Sequence, residues 1–162
     1  MSERAGTHAC EISPSAAAPR VTVFAPAKLN LFLHVGDKRP DGYHALQSLV
    51  AFANAGDRLT FAPASDLTLT VSGPFAAQVP RGSGNLVLKA ATALSEKPLG
   101  ASITLEKNLP VASGIGGGSA DGAATLRGLN ELWGLRRSED DLLEVARTIG
   151  SDVPACVLSR SE

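Results

Sequence analysis

LPVASGIGGGSADGAATLRGLNELW, residues 109–133, is the stretch that decides how this chain is read. Gly114, Gly116, Gly117 and Gly118 stand directly before a segment in which Leu126, Leu129 and Trp133 recur at helical spacing, so a flexible loop is expected to open a helix over 120–133. Glycine admits positive φ and leaves backbone N–H groups uncovered, and a helix N-terminus adds about half a positive charge. Such a junction can hold a phosphate. Ser119 is placed to cap that helix or to turn its hydroxyl to the phosphate. The loop lacks GxxxxGK followed by Ser or Thr, and Ser119 takes the last glycine position of GxGxxG, so it is neither the usual P-loop nor the dinucleotide fingerprint. Taken alone, such a loop can also be a flexible linker or a tight turn. Gly122 and Gly128, each about 1 kcal/mol less favourable than Ala in a helix, are expected to loosen the segment.

Upstream the pattern is extended. Leu29, Leu31, Leu33 and Val35 alternate with Lys28, Asn30, Phe32 and His34, which predicts a strand with Lys28 and Asn30 on one face and an apolar set on the other. Pro26 has no N–H to give to a ladder and belongs at a strand edge or bulge. Further strands are expected at 46–52, 58–62, Leu67–Ser72 and 102–107, and helices at 86–96 and Glu139–Ile149. The last helix has the clearest punctuation: Ser138 with Asp141 three residues on starts it, Leu142, Leu143, Val145, Ala146 and Ile149 form its stripe, and Gly150 stops it. Strands lead and helices follow, so the fold class is α+β rather than strict βαβ alternation.

The whole chain agrees with a folded domain. Its 162 residues suffice for a core without disulfides or metals, and 44% apolar with 19% charged residues excludes a disordered chain. Aromatic residues are only 4%, so small aliphatic side chains must pack the core. Fifteen Lys and Arg against 16 Asp and Glu disfavour nucleic acid or an anionic membrane as partner. Cys10 and Cys156 have no CxxC or framework spacing, and neither a disulfide nor a protein-borne metal site is expected. No apolar run reaches signal-peptide or membrane-span length, so a cytoplasmic chain is expected. Residues 1–20, rich in Ala, Ser and Pro without a period, read as a disordered tail before a domain over 21–162.

Three smaller features could carry chemistry. Lys28 on its strand face is a candidate cation, although a strand lysine is ordinarily just solvated. Asp41-Gly42 reads as a turn, and the following Tyr43-His44 combines a stacking face with a directional ring nitrogen, which suits a nucleobase. Asp152, in the turn after Gly150, either closes an Asx-type local bond or, beside a lysine and a phosphate, accepts the proton of an attacking hydroxyl.

Four segments in order, APAKLNLFLHV, DGYHAL, LPVASGIGGGSADGAATL and IGSDVP, resemble the GHMP small-molecule kinases. APAKLNL together with DGYH resembles the branch that acts on a cytidine-diphosphate-linked methylerythritol in non-mevalonate isoprenoid biosynthesis. The resemblance implies a two-layer, ribosomal-protein-like α+β domain with a left-handed βαβ crossover, and transfer from ATP, with its Mg²⁺, to the 2-hydroxyl of that small molecule. It implies that Asp152 takes the hydroxyl proton and Lys28 stabilises the charged reacting groups. The loop Pro110, Val111, Ala112, Ser113, Gly114, Ile115, Gly116, Gly117, Gly118, Ser119, Ala120 would wrap the ATP phosphates, with Asn85 and Lys107 near the nucleotide. On the acceptor side Tyr43 would stack on cytosine, His44 read its edge, and Asn30 line the substrate near Lys28. The family continues into a second domain, so this chain is expected to be a truncated N-terminal half. Another acceptor of the same family, or a nucleotide-binding fragment without activity, is the alternative, and no oligomeric state is assigned.

Overall fold

The structure, a computed structural model, describes residues 19–38, 44–95, 97 and 99–159, and no side chain of 33–48 or of Ser83. Tyr43, Cys10 and nearly all of the expected tail lie outside the described residues. The elements run β1 (Val21–Lys38), β2 (His44–Pro63), β3 (Leu67–Ser72), α1 (Leu86–Leu94), β4 (Ala101–Glu106), α2 (Gly117–Leu132), α3 (Glu139–Ile149) and α4 (Val153–Val157). One sheet in the order β1-β2-β4-β3 is antiparallel except for the parallel β3–β4 pair, which α1 connects. The alternation seen in the sequence fixes the buried face: Ala101, Ile103 and Leu105 of β4 point inward with Leu59 and Phe61 of β2. Against them pack Ala120, Ala123, Leu126 and Leu129 of α2, with α1, α3 and α4 completing a two-layer α+β core.

The expected strands at 46–52 and 58–62 are one element. β2 runs through because Gly56 lies opposite Pro26 where β1 slips register, and a Cβ at Gly56 would collide with the Ala25 carbonyl. Pro26 thus occupies a bulge on an edge strand, as its missing N–H requires. Beyond this bend the described residues of the apolar face expected of β1, Leu29 and Leu31, are exposed. Leu31, Phe32 and Leu49 are more than half exposed, because β4 pairs only with 58–63 of β2 and, among the described residues, the outer β1–β2 ribbon has no third strand. A second slip between Asn30 and Phe32 also takes Leu31 out of the alternation.

α2 departs from expectation in two ways. It begins at Gly117, inside the glycine run, and its N-cap is Gly116 at φ 64 with no side-chain cap bond, so Ser119 is not the cap. It also stays regular through both internal glycines. Gly128 is where α2 lies on Phe61: a Cβ there would run into a fully buried ring whose burial contributes about 2–3 kcal/mol. The helical penalty of that glycine is offset by contact. α3 has the capping box of Ser138 and Asp141 that the sequence announces, and their hydrogen bonds hold the Asp141 carboxyl below its usual range.

Candidate functional site

Two lysines flank the N-terminus of α2. Lys28 emerges from β1 just past the bulge, its backbone N–H donating to the Ile115 carbonyl of the glycine loop at 2.9 Å. The loop then lies along the lysine stem: Gly116, in the left-handed region, would bring a Cβ to 3.0 Å of the Lys28 Cβ. Packed this way, Lys28 is 4% exposed, and its ammonium meets the Asp152 carboxylate at 2.9 Å (Nζ to Oδ2). Asp152 precedes α4 and makes no capping bond, so the local Asx-type alternative is not what the fold uses. The carboxylate remains 54% exposed, open on one side and held by a lysine on the other.

Arg127 of α2, which sequence reasoning passed over, holds this geometry from behind. Its guanidinium donates to the carbonyls of Cys156, Val157 and Phe24, tying α4 and β1 to α2. Cys156 is buried there, and desolvation pushes its thiol up to about 11, so it stays a neutral packing group.

Lys107, directly after β4, is the second lysine. Its ammonium lies 2.6 Å from Asp57 Oδ2 and 2.7 Å from Asp121 Oδ2, with all three side chains buried. Asp57 Oδ1 accepts the backbone N–H groups of Asn108 and Leu109, which aims the start of the loop. Among the described residues, Asp121 Oδ1 has no hydrogen-bond partner. Neither acid was singled out from sequence, though each carried a signal: an acid inside a strand, and an acid among the small apolar residues of α2. Burial is the main cause pushing Asp121 up to about 7, against the pull of Lys107 and with a further push from Asp57.

A cavity of about 200 Å³ opens beside this cluster, lined by Val79, Asn85, Lys107, Val111, Gly118 and Asp121 among others. Asn85 lines it as expected, but its amide is engaged: Oδ1 caps α1 at Val87 and Leu88, and Nδ2 donates to the Pro80 carbonyl. Between the two lysines the loop carries three positive φ values, at Ala112, Gly114 and Gly116. Ala112 at φ 58 stores about 1–2 kcal/mol of backbone strain, a feature of ligand-clamping segments. Ser113 closes the turn onto the Pro110 carbonyl. Asn30 keeps the pleat of Lys28, in register with β2, and is exposed. Of His44 the structure describes the backbone, paired with Lys38 in the outer ribbon, and not the ring. Among the described residues no helix is long and apolar enough to cross a membrane, and no group of three His, Cys, Asp or Glu side chains could hold a metal ion.

Comparison with known proteins bears on this arrangement. Residues 85–160 match the family described as GHMP kinases N terminal domain. The chain is 56% identical over 139 residues to a 4-diphosphocytidyl-2-C-methyl-D-erythritol kinase of Paramagnetospirillum magneticum, covering 84% of this chain and 48% of that protein. It is 54% identical over 145 residues to the kinase of the same name from Rhizobium etli, covering 86% and 48%. It therefore spans about half the length of the curated relatives it matches. A crystal structure of a 4-(cytidine 5'-diphospho)-2C-methyl-D-erythritol kinase superposes with a TM-score of 0.68 at 39% identity, covering 86% of this chain and 49% of that one. A homoserine kinase from Cytophaga hutchinsonii, 21% identical with a TM-score of 0.59 over 92% of this chain and 46% of that one, shares the fold.

Proposed function

We propose, from the premise that this chain belongs to the GHMP kinase family as its N-terminal domain, that it is the nucleotide-binding part of a kinase phosphorylating the 2-hydroxyl of a cytidine-diphosphate-linked methylerythritol in non-mevalonate isoprenoid synthesis. The observation that carries the reading is the Lys28–Asp152 pair, two charges 124 positions apart in sequence (152 minus 28) that the fold brings to 2.9 Å against the glycine loop. ATP, when bound with Mg²⁺, supplies the transferable phosphoryl group. The residues present fit it: positive-φ backbone, a helix N-terminus and small side chains from Gly114 to Gly118 offer N–H groups to phosphate oxygens. The adjoining cavity is shaped mainly by apolar side chains, which suits a base better than a phosphate.

Each group then has a task in proton and charge handling. Asp152, exposed on the side away from Lys28, accepts the proton of an acceptor hydroxyl. Lys28, already paired with that carboxylate, lowers the cost of bringing an alkoxide and a phosphoryl group together. Arg127 keeps α4, and so Asp152, in reach. Asn30, one pleat repeat beyond Lys28, faces the same side and lines the approach of the acceptor. Tyr43 and His44 are assigned to the cytosine on the strength of the sequence motif alone.

In a chain extended to the full length of its relatives, Asp152→Asn should lower turnover of the cytidyl acceptor by about 10²–10⁴ while the melting temperature stays near that of the parent. Near-normal turnover would remove Asp152 as the proton acceptor. Equal turnover of homoserine or a sugar would overturn the choice of acceptor.

A further inference from the structure

Phe52 of β2 has none of the roles assigned above, yet the sheet sets it beside the reactive pair. Its register partner is Lys28, just beyond the bend where β1 and β2 slip at Pro26 and Gly56. Directly opposed residues of an antiparallel pair stand on one face, with Cβ atoms about 5 Å apart. The next pair on that face sets Val50 across from Asn30. β1 thus lends this face its polar groups and β2 its apolar ones.

The two members of the Lys28–Phe52 pair differ in cover. Lys28 is buried, with its stem along Gly116 of the loop, whereas Phe52 is 38% exposed. Apolar residues scattered singly over a surface need no account. Phe52 is not placed at random: it stands opposite the lysine whose ammonium meets Asp152 at 2.9 Å, on the approach to that half-open carboxylate. The loop presents backbone and glycine to Lys28, so on the sheet side the apolar surface next to the pair comes from Phe52.

The chemistry of the acceptor supplies a match. The inference rests on the reading that Asp152 takes the proton of the 2-hydroxyl, and in the methylerythritol acceptor that hydroxyl shares its carbon with a methyl branch. With the hydroxyl at Asp152, the methyl is carried to the same place. Left against water it gains nothing, whereas against an aromatic ring both surfaces are removed from solvent. We propose that Phe52 is the specificity-determining wall for this methyl branch, its ring packing on the methyl so that the hydroxyl of a branched carbon is held toward Asp152 and an unbranched acceptor is held loosely. Phe52 moves no proton and carries no charge; it selects by contact. One methyl group in an apolar site discriminates by about 10- to 200-fold.

The test compares two acceptors in a chain extended to the full length of its relatives: the cytidine-diphosphate-linked methylerythritol, and the same compound with hydrogen in place of the methyl branch. The quantity read is the ratio of their kcat/KM values. In Phe52→Ala the ratio of methyl to unbranched compound should fall about tenfold from that of the parent. Any intrinsic difference in reactivity between the two alcohols is the same for both proteins and cancels. A role in folding alone would lower both acceptors together and leave the ratio where it was. Phe52→Val, which keeps an apolar strand residue but withdraws the ring, is read in the same way where Phe52→Ala fails to fold. A fall of less than about threefold in the ratio would overturn the proposal, and so would the failure of both variants to fold. Either result, with the parent still turning over the methyl compound, removes only the part given to Phe52. Absence of turnover of both acceptors by the extended parent would instead defeat the choice of acceptor, and this inference with it.

Discussion

The two lysines beside the glycine loop are buried to the same degree but serve opposite ends. Among the described residues Lys28 pairs with Asp152, and that partner is half open to solvent. Lys107 has two partners, both enclosed, with Asp57 also anchoring the backbone at the start of the loop. The difference lies in the acids. An exposed carboxylate can itself turn to water at little expense, although the buried Lys28 ammonium then needs an incoming anion in its place. An enclosed one cannot, because separating the pair strands a charge in a medium of low dielectric. The open pair suits chemistry and the closed cluster suits structure, while adjacent glycines, Gly116 and Gly117, pack against Lys28 and Lys107.

Removing each ammonium with its stem conserved should expose the contrast most strongly. Lys107→Met leaves Asp57 and Asp121 facing each other without a cation, and is expected to destabilise the domain by about 3–5 kcal/mol in urea unfolding. A loss under about 1 kcal/mol would mean that water reaches the cluster.

Titration sharpens the same comparison at smaller scale. The folded pKa of Asp121, about 7 against 3.8, means that between those values the folded chain binds a proton that the unfolded chain has released. Stability from this group is therefore greatest at the acid end of the window, falls as pH rises through it by about 1.4 kcal/mol per pH unit at most, and is level from about one unit above the folded pKa. Melting temperatures of the parent should drop from pH 5 to pH 7, and Asp121→Asn should flatten the drop.

The smallest effect belongs to the open pair. Lys28→Met, which keeps the buried stem under Gly116, should cost less than about 1 kcal/mol because Asp152 can turn to water. Raising salt from 0.05 to 1 M should weaken the Lys28–Asp152 coupling in a double-mutant cycle and leave that of Lys107 with Asp57 nearly unchanged. Equal salt sensitivity would mean that the two clusters are equally wet.

Local rules were enough for much of the architecture. The Ser138 and Asp141 capping box, the stop at Gly150, the alternating strands of β3 and β4 and the glycine loop before α2 are statements about neighbours a few positions apart, and the structure agrees with each. No local rule paired Lys28 with Asp152; only the family resemblance linked them. What the sequence could not show was the meaning of residues whose partners are remote. Gly128 looked like a weak point in α2 until Phe61, 67 positions earlier (128 minus 61), lay against it. The alternation of β1 separated two faces, and that its apolar side is exposed at Leu29 and Leu31 follows from the sheet, which among the described residues has no third strand beyond the bulge.

The sequence by itself determined the class of fold, the capped start of α3, and the glycine loop that opens α2, because all of these depend on backbone preferences and on side chains within one or two turns. Tertiary structure alone decided that Lys107 lies between Asp57 and Asp121, 50 and 14 residues away, and that one acid oxygen among them has no hydrogen-bond partner among the described residues. Charge at a distance acts only through space and through the medium between, and both are properties of the folded chain.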